Sequence, residues 1–319
     1  MSYKIFIDGE SGTTGLEIKQ RLSKVAGVDI LSIDPNVRKN IGERLNMFAR
    51  SDLVFLCLPD SDARTIMLKA DPEIKVIDAS TAHRTADNWV YGMPELSSEQ
   101  RQKIKESNRV ANPGCHATGF ILLVRPLIDA GIIPEDAFLN FHSITGYSGG
   151  GKEMIWSYEG RTGKLTELKS PRQYALTQDH KHLPEIQTQS RISISPVFSP
   201  IVGDFYKGML ITIPLHGKML KKRYGPLELV DFYRKRYKCD PLILVKDIED
   251  VSASGFVDAD GMAGHDNVEI TVSGNNQRMT LMARYDNLGK GASGAAIQNM
   301  NIMLGLPELE GLQIKKDGE

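Results

Sequence analysis

The chain is short of cysteine, of net charge and of long apolar runs, and each shortage removes a class of function. Three cysteines, Cys57, Cys115 and Cys239, stand among 319 residues. They form no C-x-x-C pair and are too few for a disulfide framework, which points to a reducing compartment. Lysine plus arginine (39) nearly balance aspartate plus glutamate (40), leaving a formal net charge of −1. A basic nucleic-acid footprint is therefore missing. No apolar run reaches the length of a membrane span, and the chain does not open on the charged-then-apolar pattern of a secretory signal. The expectation is a cytoplasmic protein acting on small molecules, with neither nucleic acid nor membrane among its partners. Internal repeats and low-complexity segments are also absent, and only residues 315–319 read as disordered.

What the chain contains is alternation. At 41% hydrophobic and 25% charged it is globular in composition and long enough for about two domains. Short apolar runs at 3–7, 28–33, 53–58 and 74–78 alternate with helical patterns at 16–25, 41–49 and 62–70. The order β-α-β-α-β-α-β predicts an α/β fold of Rossmann type, a parallel sheet with helices on both faces. Ligands of such sheets bind beyond the carboxyl ends of the strands, so the segments ending at Asp8, Asp34, Pro59, Ser80 and Pro113 should line one crevice. After residue 130 the pattern becomes β-rich, with candidate strands at 138–145, 193–198, 208–214, 242–245, 268–273 and 279–285 and a clear helix at 227–237. This predicts a second, α+β domain with a mixed or antiparallel sheet. A last helix at 292–304 follows a glycine-rich run. The expected division is residues 1–114 plus 288–319 as the cofactor domain, with 115–287 as the catalytic and oligomerisation domain.

Directly after the first strand, Gly9-Glu10-Ser11-Gly12-Thr13-Thr14-Gly15 is a variant of the dinucleotide fingerprint. Its glycines permit a tight turn and let backbone N–H groups approach a pyrophosphate at a helix start. Cofactor type is open at this level: Asp34, at the end of the second strand, suits a ribose 2′-hydroxyl, whereas Arg38 and Lys39 suit a 2′-phosphate or are solvated charges. Later, Gly146-Tyr147-Ser148-Gly149-Gly150-Gly151-Lys152-Glu153 matches the first seven positions of a P-loop, but Glu153 stands where a magnesium-binding Ser or Thr is needed. An NTPase is excluded. The loop suits a smaller anion, such as a substrate phosphate held by Ser148 and Lys152, or is simply structural.

Cys115 stands in Asn112-Pro113-Gly114-Cys115-His116-Ala117-Thr118-Gly119, between the strand-like 109–111 and the apolar helical run 120–124. A thiol at a helix start meets the positive end of the dipole, which favours the thiolate. The alternative is a small buried hydrophobe. Cys57, within an apolar run, reads as core, and Cys239, after the basic aromatic stretch 233–238, as surface. His180-Lys181-His182-Leu183-Pro184-Glu185 offers two imidazoles and a carboxylate. The remaining histidines, at 83, 116, 142, 216 and 265, supply no ligand pair, so no metal is expected. As an acid/base site the segment needs only one imidazole oriented by Glu185. Otherwise it is a polar helix start with Pro184 in its first turn.

Taken together, the fingerprint, Asn112 to Cys115, the Gly146 to Lys152 loop, His182-x-x-Glu185 and Asn287-Leu288-Gly289-Lys290-Gly291-Ala292-Ser293-Gly294 occur in an order that resembles the N-acetyl-γ-glutamyl-phosphate reductases, in their shorter form. Asp78-Ala79-Ser80-Thr81-Ala82-His83-Arg84 and Tyr91-Gly92-Met93-Pro94-Glu95-Leu96 resemble the short form in particular. The resemblance implies an enzyme of arginine biosynthesis that uses NADPH to reduce an acyl phosphate to an aldehyde. By it Cys115 is the nucleophile, His182 the acid/base and Glu185 its support. The cofactor-binding residues are expected to be Gly9, Ser11, Gly12, Thr13, Thr14, Gly15, Arg38, Lys39, Ser80, Asn287 and Gly291. The expected substrate contacts are Asn112, Ser148, Gly149 and Lys152, and the expected partner is a further copy of the chain, as a dimer or tetramer. One departure is His116, where the family is expected to carry Tyr. The rivals are aspartate-semialdehyde dehydrogenase, a reductase of a carrier-linked glutamyl or aminoadipyl phosphate docking through Lys218, Lys221, Lys222 and Arg223, and a non-catalytic dinucleotide sensor.

Overall fold

Strands whose residues are apolar on consecutive positions need cover on both faces, and the N-terminal sheet obtains it from helices on either side. In the computed structural model, which describes residues 2–160, 168–252 and 255–316, the first unit takes Met1–Gly114 and Ala292–Leu312. Its elements are β1 (Tyr3–Asp8), α1 (Thr13–Leu22), β2 (Val28–Leu31), α2 (Ile41–Ala49), β3 (Leu53–Leu56), α3 (Asp60–Met67), β4 (Lys75–Asp78), β5 (Val90–Tyr91), α4 (Ser98–Glu106) and β6 (Arg109–Ala111). The six strands are parallel throughout, in the order β2-β1-β3-β4-β6-β5. Chain direction across the sheet reverses at β1, which places the end of β1 beside the end of β3.

Alternate residues of β1 serve the two faces. Ile5 and Ile7 pack with Ile18, Phe55, Ile77 and Ile104 on one side, while Phe6 joins Phe48, Val54, Ile66 and Val76 on the other. The second unit, Cys115–Gly291 with the segment from Gln313, opens with α5 (Cys115–Asp129), buried along almost its whole length. It continues with β7 (Asn140–Gly146), α6 (Gly151–Tyr158), β8 (Arg172–Gln173), α7 (Leu183–Ser190), β9 (Val197–Gly203), β10 (Met209–His216), α8 (Pro226–Arg236), β11 (Ile243–Val245), α9 (Ile248–Val251), β12 (Val268–Asn275) and β13 (Arg278–Tyr285). The sheet is mixed, in the order β11-β12-β13-β10-β7-β9-β8, with β7 parallel to β9 and β11 parallel to β12. Helix α5 lies across β10 and β13, and α7 packs on α5.

The first unit is completed by α10 (Gly294–Leu304), whose Ala296, Ile297 and Met300 join the Ile5 side of the core. Three details differ from the sequence reading. The return to the first unit falls at Ala292 and not at 288, because Leu288, Gly289 and Gly291 all donate their N–H groups to Asp286. The strand expected at 193–198 is displaced to β9, where Pro200 sits inside the ladder opposite Ser143 and hides the strand pattern. Lys315, expected in a disordered tail, exchanges hydrogen bonds with the Asn267 side chain; residues 317–319 lie outside the described residues.

Candidate active site

Proline and glycine end β6, and the chain turns into α5 with Cys115 as its first residue. The thiol is half-buried. Two neighbours in the same unit crowd it. A Cβ on Gly291 would stand 3.0 Å from Cys115 Cβ, a contact tight enough that glycine eases the close approach of that backbone. The Tyr285 phenol, at the end of β13, donates to the Cys115 carbonyl oxygen at 2.5 Å.

Helix α7 brings the second set of groups. His182 is its N-cap residue, Pro184 stands in the first turn, and Glu185 follows in that turn; His182 and Glu185 are both buried. A carboxylate there is favoured by the helix dipole. Three imidazoles gather at this point, with His116 and His182 centroids 5.5 Å apart, His116 and His180 5.4 Å, and His180 and His182 4.8 Å. They are not equivalent. His116 is clamped between hydroxyls, Nδ1 to Ser143 Oγ at 2.7 Å and Nε2 to Tyr174 Oη at 2.8 Å, and burial pushes its pKa down to about 3. His180 accepts the His182 N–H on Nδ1 at 3.1 Å, and burial lowers it to about 4. Both are therefore neutral near pH 7. Burial and the nearby Cys115 push the Tyr174 phenol up, so it keeps its proton.

Sequence reasoning missed Ser143, Tyr174 and Tyr285, which carry no spacing signal because each reaches the cluster from a different strand or loop. His116 stood out only as a departure from the family pattern. Among the described residues, no group of three or more His, Cys, Asp and Glu is arranged to hold a metal ion.

The Gly146 to Glu153 loop becomes the end of β7, a tight turn and the start of α6. Ser148 is buried, and its hydroxyl accepts from Asn287 Nδ2 at 3.0 Å, while Asn287 Oδ1 accepts the Gly208 N–H at 2.9 Å. Asn287, expected at the cofactor, and Ser148, expected at the substrate, thus touch each other. Gly149 and Lys152 are exposed beside them. Asn112 lies in the other unit, where its amide donates to the Ala292 carbonyl at 2.9 Å and accepts from Asn299 at 3.2 Å.

In the first unit the fingerprint forms the expected turn. Gly9 has φ +91°, a left-handed value open to glycine, and a Cβ there would strike the Cys57 carbonyl. A Cβ on Gly15 would lie 2.5 Å from the Gly9 carbonyl oxygen. Gly12 is the N-cap residue of α1, and Thr13 and Thr14 begin the helix. A cavity of about 560 Å³ opens beside this turn, lined by Gly9, Ser11, Arg38 and Lys39 among others. Asp34 is not in its wall; its carboxylate accepts the Asn36 N–H at 2.9 Å and shapes the loop that carries the two cations. Ser80 is absorbed likewise, donating to Asp78 at 2.7 Å and accepting from Ala82. Unforeseen from sequence is the buried Arg44–Asp8 pair in the cavity wall, at 2.6 Å. Glycine clearance, a helix start and a lined cavity together fit a dinucleotide.

Comparison with known proteins bears on both units. The description of the semialdehyde dehydrogenase dimerisation domain matches residues 115–287, and that of the semialdehyde dehydrogenase NAD binding domain matches residues 36–105. N-acetyl-gamma-glutamyl-phosphate reductase 2 of Nostoc sp. strain PCC 7120 is 43% identical over 319 residues, covering 97% of this chain and 99% of its own. The N-acetyl-gamma-glutamyl-phosphate reductase of Brucella ovis is 40% identical over 309 residues, 96% of this chain and 100% of the relative. Among solved structures, aspartate semialdehyde dehydrogenase II of Vibrio cholerae, complexed with ASA, superposes with TM-score 0.70 at 16% identity over 96% of this chain and 99% of that one. Aspartate semialdehyde dehydrogenase of Francisella tularensis gives 0.71 at 10% identity, covering 95% and 100%. These structural likenesses concern the fold alone.

Proposed function

The chain belongs to the N-acetyl-gamma-glutamyl-phosphate reductase family, and from that premise we propose that it reduces N-acetyl-γ-glutamyl phosphate to N-acetylglutamate semialdehyde and phosphate. The observation that carries the reading is the packing of α7, bearing His182 and Glu185, on α5, which Cys115 opens. The Cys115 thiolate attacks the acyl carbon and expels phosphate, forming a thioester. Nicotinamide dinucleotide, when bound, supplies the hydride. His182 donates a proton to the carbonyl oxygen as the hemithioacetal forms and later takes one back as the aldehyde leaves. Glu185 supports the cationic form of that imidazole. The first turn of α5 turns its positive end to the developing oxyanion. His116 and His180, both held neutral, shape the pocket rather than move the proton.

The cofactor is NADPH. The turn Gly9 to Gly15, with Ser11, Thr13 and Thr14, holds the pyrophosphate, and Arg38 and Lys39 at the cavity hold the 2′-phosphate. Asp34, whose Oδ1 accepts the Asn36 N–H, lies outside the wall of that cavity. Gly291 lets the chain pass close to the thiol. Ser148, Gly149 and Lys152 bind the substrate's phosphate end, with Asn287 holding Ser148 in place. Asn112 and Ser80 act within their own unit, fixing backbone. The protein works in the cytoplasm as a homo-oligomer, dimer or tetramer; the match of the second unit to a dimerisation domain supports assembly. No helix among the described residues is long and apolar enough to cross a membrane.

A coupled assay tests the reading: phosphate-dependent oxidation of N-acetylglutamate semialdehyde with NADP, beside aspartate semialdehyde and a carrier-linked glutamyl semialdehyde. Preference for the N-acetyl compound is expected. Faster turnover of aspartate semialdehyde, or activity only on the carrier-linked compound through the exposed Lys218, Lys221, Lys222 and Arg223, would overturn it.

A further inference from the structure

Tyr285 closes β13 with its ring fully buried and its hydroxyl against the first turn of α5. The phenol donates to the Cys115 carbonyl oxygen at 2.5 Å and accepts from the Gly119 N–H at 3.0 Å. Residues 115 and 119 are the pair that an α-helix joins by its own i to i+4 hydrogen bond. The hydroxyl therefore bridges the bond that defines the turn behind the thiol.

The seat is built for this oxygen. A Cβ on residue 119 would lie 2.9 Å from the phenol oxygen, 2.7 Å from Tyr285 Cε1 and 2.6 Å from Ile211 Cγ1. Glycine inside a helix sacrifices stability relative to alanine, and the phenol's approach accounts for it here. The phenol itself is held from behind: Tyr285 pairs with Met209 across the sheet, and the next residue, Asp286, accepts the N–H groups of Leu288 and Gly264.

We infer that Tyr285 is a positioning residue for the Cys115 thiol, bridging the first turn of α5 so that the direction of the sulfur and the charge of the carbonyl beside it are fixed. This rests on Cys115 being the nucleophile. Two consequences follow physically. A rigid first turn presents the sulfur in one direction, which counts in a step whose rate depends on alignment. A donor on the Cys115 carbonyl offsets the negative end of that dipole and so eases ionisation of the thiol. Burial, with the nearby Cys115 and Glu185, holds the phenol's pKa well above its ordinary value, so the hydroxyl remains a donor through the working range.

Tyr285→Phe removes the oxygen and leaves the ring. The measurement is the pH profile of iodoacetamide alkylation at Cys115, read by peptide mass spectrometry to separate it from exposed Cys239 and from Cys57, whose thiol burial pushes up. Steady-state kinetics and thermal unfolding are recorded on the same preparations. The expected result is an alkylation midpoint raised by about half a pH unit and kcat lowered about tenfold with KM within about twofold. Gly119→Ala, which crowds the phenol off its seat, should shift both the same way. A native alkylation profile and native kcat in Tyr285→Phe, even with a lowered unfolding temperature, would reduce Tyr285 to a packing residue and overturn the inference. If Cys115→Ser stays active, the nucleophile assignment has failed and the inference falls with it; if Cys115→Ser is inactive while Tyr285→Phe is native, only the inference has failed.

Discussion

His116 is buried between Ser143 and Tyr174 and held neutral, which makes the stability of the protein depend on pH in a definite direction. Its folded pKa is about 3, against an ordinary value near 6.5 that the unfolded chain retains. As pH falls through about 6.5 the unfolded state takes up a proton that the folded state refuses, so stability is full above about 6.5 and declines toward the folded value. Each pH unit in that window costs about 1.4 kcal/mol, so pH 5 should remove about 2 kcal/mol and pH 3 about 5 kcal/mol through this residue alone. Carboxylates also titrate over the range, so the quantity to measure is a difference. Urea unfolding of the native protein and of His116→Gln, at one protein concentration between pH 8 and pH 5, separates it. Glutamine does not titrate, and whatever hydrogen bonds it loses appear as an offset independent of pH. The two stability curves should converge by about 2 kcal/mol between pH 7 and pH 5. Parallel curves would mean that His116 ionises in the folded state, and the reasoning that removes it from proton transfer would fail.

Three further outcomes are expected. Cys115→Ser should abolish phosphate-dependent aldehyde oxidation while NADPH binding, followed by fluorescence titration, is kept, because the glycine turn belongs to the other unit; retained turnover would exclude a thioester. His182→Asn should lower kcat by about 10² to 10⁴, whereas His180→Asn, which keeps an acceptor for the His182 N–H, should cost less than about tenfold; the reverse ranking would move the acid/base role to His180. Arg38→Ala should weaken NADPH about tenfold, the low end for a charge-assisted hydrogen bond because the side chain is exposed, and leave NADH unchanged; equal weakening of both would rule out a 2′-phosphate contact.

Much of the architecture was legible in local pattern. The alternation from residue 3 to 78 marked a parallel α/β sheet, and α2 occupies the very residues, Ile41–Ala49, whose apolar spacing announced it. Glycines 9 and 15 could be read because a turn that clears the Cys57 and Gly9 carbonyls admits little else at those two positions. Cys115 at the start of a helix and Glu185 in the first turn of another were equally local, since caps and breakers act within a few residues. The sequence therefore determined element types, the two kinds of sheet and the identity of the candidate nucleophile. Partners across the sheet were another matter. That Asn287 holds Ser148, 139 residues away, and that Tyr285 reaches Cys115 across 170, depends on β13, β10 and β7 lying side by side with α5 across them. The same holds for His116, whose neutrality comes from burial beside Tyr174 and Phe198. Asp34 shows the limit from the other side: its spacing suited a ribose, but in the fold it lies outside the cavity wall that includes Arg38 and Lys39, with its Oδ1 accepting the Asn36 N–H. Periodicity and capping are short-range and survive in a string of letters, whereas desolvation and hydrogen-bond competition exist only once distant segments are packed together, and only the tertiary structure could decide them.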